Sequence, residues 1–156
     1  MSRAARYHQL AWDQVSEGDE LPTDVDRIDV ERVVATAAST WTFFGGHIDA
    51  DYARSIQGRS HVYLATGPIL GLLDRYVTSW AGPQAFLAKR SMRMVESLCA
   101  GDELHFVGRV SKKWADASRG YERRLVEISL EIRNGAGKPC VLATAVYELP
   151  LTSTVS

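Results

Sequence analysis

The chain has 156 residues, 46% of them hydrophobic and 24% charged, and a formal net charge of -1. That length suits one domain with a sizeable core, and the near-zero charge gives no electrostatic reason to expect a nucleic-acid or membrane partner. The longest apolar stretch, Val62 to Leu73, is interrupted by Thr66, Gly67, Pro68 and Gly71 and is too short to span a bilayer.

Met1 to Leu10 carries Arg3, Arg6 and His8 without an apolar segment behind them, so no secretory leader is expected and a cytoplasmic location is. Both ends, Met1 to Arg6 and Leu151 to Ser156, are expected to be loose. No repeat or low-complexity linker divides the chain, which predicts a single domain over 1–156 with its core over about 10–150.

In chain order, Asp29 is placed to cap a helix whose apolar positions are Val30, Val33, Val34, Ala37 and Ala38. From Thr40 to Gly58 the periodicity breaks into aromatics and Gly45-Gly46, which predicts an ordered loop with one helical turn after Asp49. His61 to Ala65 reads as a short extended piece leading to Thr66 as N-cap and Pro68 in the first turn. Ile69, Leu72, Leu73, Tyr76, Val77 and Trp80 then line one face of a long helix, which Ala81-Gly82-Pro83 ends.

Downstream the pattern is extended. Ala85 to Val95 and Glu103 to Trp114 read as strands joined across Ala100-Gly101-Asp102. Val126, Ile128, Leu130 and Ile132 alternate with polar residues, and after the turn at Asn134 to Gly137 a further strand runs from Cys140 to Leu149, making a hairpin. One long helix followed by antiparallel strands predicts an α+β layer with the sheet curved around the helix at about 66–80.

The segment Trp41 to Asp49, the later Arg75 to Pro83, the turn Ala100-Gly101-Asp102-Glu103-Leu104 and the Asn134-Gly135 hairpin fall in an order that resembles MaoC-like dehydratases and (R)-specific enoyl-CoA hydratases. The likeness is greatest to small single-hot-dog members and to subunits of heteromeric steroid-type hydratases. It runs from about Val30 to Pro150 and implies a hot-dog domain acting on a 2-enoyl thioester. It implies no cofactor beyond the coenzyme A or acyl carrier that forms part of the substrate.

In that family an Asp, followed five residues later by a His, activates the water that adds across the double bond. The chemistry needs a base for the water proton and an acid for the alpha carbon. By this resemblance the His falls on His47, a following acid on Asp49, and the catalytic Asp on Thr42, whose hydroxyl can hold a water but has no accessible pKa for proton transfer. Asp49 or Asp51 is the alternative source of a carboxylate. The resemblance also implies a thioester-oxygen site at the backbone of Thr66 or Gly67, where a helix start presents unpaired N–H donors. Phe44 and Gly46 complete the expected substrate contacts.

Three functions follow: a hydratase or dehydratase working through His47, a non-catalytic thioester-binding subunit, or a cyclase-type conjugate addition that needs no water-binding carboxylate. A thioesterase is disfavoured because the one carboxylate on the central helix, Asp74, lies away from its start. Family members pair through their sheets, which implies a homodimer or higher oligomer, or a heteromer with another MaoC-like chain.

Other residues are read as structural. His61 and His105 lack motif context, and no histidine spacing suits a metal. Cys99 and Cys140 are read as thiols, not a disulfide. Gly45-Gly46 is read as a sharp turn. Trp41, Phe43 and Phe44 are divided between core and pocket wall. Lys89, Arg90, Arg93, Lys112, Lys113, Arg123 and Arg124 are weighed as contacts for coenzyme A phosphates against ordinary solvated charge.

Overall fold

The computed structural model describes residues 8–118 and 120–151; most of the two termini expected to be loose lies outside that range. Four helices and five strands follow one another as β1 (Asp24–Arg27), α1 (Val30–Ser39), α2 (Gly45–Ile48), α3 (Ala50–Ser55), α4 (Thr66–Ala81), β2 (Phe86–Met94), β3 (Glu103–Asp116), β4 (Arg123–Asn134) and β5 (Pro139–Glu148). The strands form one antiparallel sheet in the order β1-β3-β4-β5-β2. This is the α+β architecture that the pattern of one long helix and a run of strands implies.

The core lies between α4 and one face of the sheet. Ile69, Leu73, Tyr76 and Val77 from α4 join Phe106, Ile128, Leu130 and Ile132 in one buried cluster. Each large aliphatic side chain moved out of water there contributes roughly 1.5–3 kcal/mol before entropy is counted. Trp80 sits at the margin, partly buried. Along β4 the alternation is the one read from sequence, with Val126, Ile128, Leu130 and Ile132 buried.

Ion pairs clamp the helices at both sides of the sheet. On one, Asp26 accepts two 2.8 Å hydrogen bonds from Arg32, and Arg75 of α4 reaches Asp24 at 3.1 Å and Asp26 at 3.3 Å. On the other, Asp74 of α4 takes a hydrogen bond from Arg90 of β2 and one of 2.8 Å from the Tyr147 hydroxyl of β5. Gly82 ends α4 at φ +99°, and a Cβ there would lie 2.5 Å from the His8 carbonyl oxygen.

Several expectations are corrected. The segment 40–58 is not a loop throughout: α3 is the helical turn expected after Asp49, and α2 is a further one that the reading as loop did not include. Ala65, not Thr66, holds the N-cap position of α4, and no side chain caps it. The connection across Ala100-Gly101-Asp102 joins strands that are not neighbours, a point the sequence reading left open: β2 pairs with β5 at one edge while β3 lies between β1 and β4. The short strand β1 and a 3-10 turn at Trp12–Gln14 carry no periodicity that sequence reading could detect. Cys99 and Cys140 are both buried free thiols, as expected. Among the described residues no helix is long and apolar enough to cross a membrane.

Candidate active site

His47 is the most enclosed polar residue of the motif loop, only 8% exposed. It lies in α2, and its ring is wedged between Phe44, with centroids 5.6 Å apart, and Tyr63 at 4.9 Å, both edge-on. The Nδ1 atom is 2.7 Å from the Tyr63 carbonyl oxygen. A carbonyl oxygen can only accept, so in the neutral ring the proton sits on Nδ1 and Nε2 carries a free lone pair. That is the form a general base requires.

Thr42 stands five residues earlier. Trp41 and Thr42 close α1 in a reverse cap, with Trp41 N–H on Ala38 (3.2 Å) and Thr42 N–H on Ala37 (2.9 Å). The Thr42 hydroxyl is 2.9 Å from the Thr40 hydroxyl and 3.3 Å from the Thr40 carbonyl. The methyl of Thr40 in turn lies 3.7 Å from where a Cβ on Gly67 would be. The end of α1 and the start of α4 therefore meet.

The start of α4 is open. Ala65 offers no side-chain oxygen, Pro68 has no N–H, and the first helical hydrogen bond of the turn runs from Ile69 to Ala65 at 3.4 Å. The N–H groups of Thr66 and Gly67 have no acceptor among the described residues. Both residues are exposed, so these donors face solvent at the positive end of a 16-residue helix dipole. Gly67 has no positive φ and has room for a Cβ, so neither strain nor crowding demands glycine there. Tyr63, which holds His47, is three residues from Thr66, a span of at most about 10 Å.

Asp49 occupies a different role. One of its oxygens caps α3, accepting from the backbone of Asp51 at 2.9 Å and Tyr52 at 3.1 Å. Asp51 is exposed and 3.3 Å from Arg54. Gly45 and Gly46 do not make a positive-φ turn, which corrects the reading of a sharp bend. Their bare Cα atoms make room for rings instead: a Cβ on Gly45 would lie 2.7 Å from Tyr52, and one on Gly46 would lie 2.5 Å from Gln57 Oε1 and 2.6 Å from the Tyr63 hydroxyl.

Trp41, Phe43 and Phe44 are 84%, 56% and 43% exposed, so none of them is core. His61 accepts from the Val62 backbone at 2.9 Å and His105 pairs with Glu103 at 2.8 Å. Among the described residues no group of ligands could hold a metal. The basic residues do not converge either. Arg90 binds Asp74, Arg123 binds Glu148, Arg124 binds Glu122, and Lys113 reaches the Val15 carbonyl while its ammonium lies 3.9 Å over the Trp12 ring. Lys89 and Lys112 flank a hollow of about 490 Å³ on the other face of the sheet, together with Trp114. Tyr63 and Gln57 are the neighbours of His47 that sequence reading missed; no motif or spacing signals them.

No family model matches the chain. Among curated proteins it resembles the 3-oxo-4,17-pregnadiene-20-carboxyl-CoA hydratase beta subunit of Mycobacterium tuberculosis (strain ATCC 25618 / H37Rv), with 35% identity over 79 residues. The aligned stretch covers 51% of this chain and 60% of that relative's length. Among solved structures, a chain of the ChsH1-ChsH2 complex from Mycobacterium tuberculosis matches with a TM-score of 0.75 and 29% identity, covering 86% of this chain and 98% of the other. A MaoC-like dehydratase from Rhodospirillum rubrum matches in fold with a TM-score of 0.77 and 19% identity, over 90% and 96% of the two chains. The element order and these likenesses show a hot-dog fold like that of the MaoC-like dehydratase, in a chain whose sequence is similar over about half its length to a steroid-type hydratase subunit.

Proposed function

We propose that the chain is a carbon–oxygen lyase of the hydratase and dehydratase kind, acting on a 2-enoyl thioester carried by coenzyme A or an acyl carrier protein. The observation that carries this reading is the His47 ring, with Nδ1 tied to the Tyr63 carbonyl and Nε2 left as base. In hydration, Nε2 takes a proton from water as the oxygen bonds to C3, the C2–C3 π pair moves to C2, and a proton is returned to C2. Charge that develops on the thioester oxygen falls to the N–H donors of Thr66 and Gly67. Phe44, half exposed beside His47, supplies an apolar contact for the acyl group, and Thr42 a hydrogen bond to water or substrate. No cofactor beyond the acyl carrier enters this scheme, and the location proposed is the cytoplasm.

A second reading is a thioester-binding subunit that works beside a complete MaoC-like chain. Two observations favour it: the hydroxyl at Thr42 is already engaged by Thr40, and the chain is similar to part of a two-component complex. The two separate in one assay. Purified protein with crotonyl-CoA and with longer or cyclic enoyl-CoA esters is expected to consume the conjugated thioester absorbance for at least one substrate, and His47→Ala is expected to abolish that. Turnover that appears only with a second, homologous chain supports the subunit reading; turnover undiminished in His47→Ala refutes the lyase role of His47.

A further inference from the structure

We infer that Tyr63 and Gln57 form a latch that positions His47 and fixes which of its ring nitrogens carries the proton. This rests on the reading of His47 as the acid–base group, but its test does not need turnover.

Tyr63 makes four contacts, three with the segment around His47 and one with the turn after α3. Its carbonyl accepts from Nδ1 of His47 at 2.7 Å, and its N–H donates to the Gly46 carbonyl at 3.1 Å. Its ring stands edge-on to the His47 imidazole, centroids 4.9 Å apart at 77°. Its hydroxyl donates to Oε1 of Gln57, just beyond the end of α3. The first two contacts fix Tyr63 to the segment around His47 as a two-bond bracket, and the last ties the far end of the ring to the turn after α3.

The bracket alone leaves the ring of Tyr63 free to rotate. The hydroxyl bond removes that freedom, and with it the freedom of the imidazole packed against the ring edge. Gly46 is the socket: a Cβ there would meet Gln57 Oε1 at 2.5 Å, the Tyr63 hydroxyl at 2.6 Å and Tyr63 Cε1 at 2.7 Å. The glycine next to His47 is therefore needed for the latch to close, which gives that position a reason that the substrate-contact reading did not. A base that must present Nε2 to a water benefits from a ring held in one tautomer and one orientation.

The test is a long-range ¹⁵N–¹H correlation spectrum of the full chain labelled at histidine nitrogen, taken at mildly alkaline pH. His47 is assigned by the signal lost in His47→Ala. The wild-type protein is expected to show His47 as a single Nδ1–H tautomer. In Tyr63→Phe and Gln57→Ala, which delete only the hydroxyl bond, His47 is expected to become a mixture with the Nε2–H form. Gln57→Glu, whose carboxylate still accepts from Tyr63, is expected to restore the single form.

Gln57 is only partly buried, so its variants keep the test open where Tyr63→Phe fails to fold. A wild-type His47 in the Nε2–H form, or a single Nδ1–H form that survives both deletions, overturns the latch. The expected tautomer pattern in a protein that turns over no enoyl thioester supports the latch and removes only the lyase reading.

Discussion

Trp41 is the one non-glycine residue with a positive φ among those described, at +56°, and its indole is 84% exposed. It occupies the left-handed position after α1 that glycine usually fills, and a bulky residue there costs about 1 kcal/mol or more. What the side chain gains is one edge contact with Phe43, centroids 6.0 Å apart. Trp41→Gly is therefore expected to stabilise the protein by up to about 1 kcal/mol, seen as a higher denaturation midpoint in urea. A lower midpoint would show that the indole packs more favourably than its exposure indicates.

The same residues show what a sequence can and cannot reveal. The expectation at His47 rests on a local motif, and its burial follows from the aromatic rings that pack on it. Tyr63 and Gln57 were not legible, since their roles arise from an approach between segments whose spacing carries no periodic signal. The exposure of Trp41, Phe43 and Phe44 was equally hidden, because an aromatic run reads alike whether a core or a ligand covers it.

Among elements, α1, β1 and α4 are joined by the Asp24, Asp26, Arg32 and Arg75 cluster, beside the apolar contact that Val33 of α1 makes in the core it shares with α4. The hydrogen bonds from Arg32 hold the Asp26 carboxyl below its ordinary value of 3.8. A carboxyl that is more acidic in the folded chain stabilises the fold above the unfolded pKa, and that contribution is lost as pH falls through the folded value. Asp26→Asn is expected to cost about 1–2 kcal/mol at neutral pH and to remove this component of the acid sensitivity below about pH 4. Thermal melts of both proteins from pH 7 down to pH 3 check this; equal stability at pH 7 would mean that the cluster is replaceable by solvent.

Element types were recovered from sequence wherever periodicity ran for more than about eight residues, as in α1, α4 and β4. Of the short pieces, α3 is marked by its Asp49 cap, while β1 and α2 carry no such signal. β1 has four residues with an exposed Val25, and α2 has four with two glycines, so hydrophobic pattern carries no information in either. Strand order was hidden for another reason: β2 pairs with β5, with β3 and β4 between them in sequence, a long-range pairing that adjacency in sequence does not suggest.

At the scale of the whole molecule, the sheet ends at β2, a nine-residue edge strand with Phe86 65% exposed and Met94 37% exposed. A free edge of that length presents unpaired backbone groups and invites a partner strand. As part of the proposed function, the chain is expected to sediment as a dimer or larger at micromolar concentration, or to acquire that mass with a second MaoC-like chain. A strict monomer under both conditions would remove the assembly proposal.

In the proposed function, His47 is the intact half of a two-residue acid–base site whose carboxylate position is held by Thr42. Steady-state hydration of an enoyl-CoA by Thr42→Asp measured beside the wild-type chain tests it most directly. A restored carboxylate is expected to raise kcat by about 10²-fold or more, the typical contribution of a positioned acid–base group, and the gain should vanish in Thr42→Asp combined with His47→Ala. A folded Thr42→Asp protein with no gain in kcat would refute that role, because position 42 would then lie outside the reacting site.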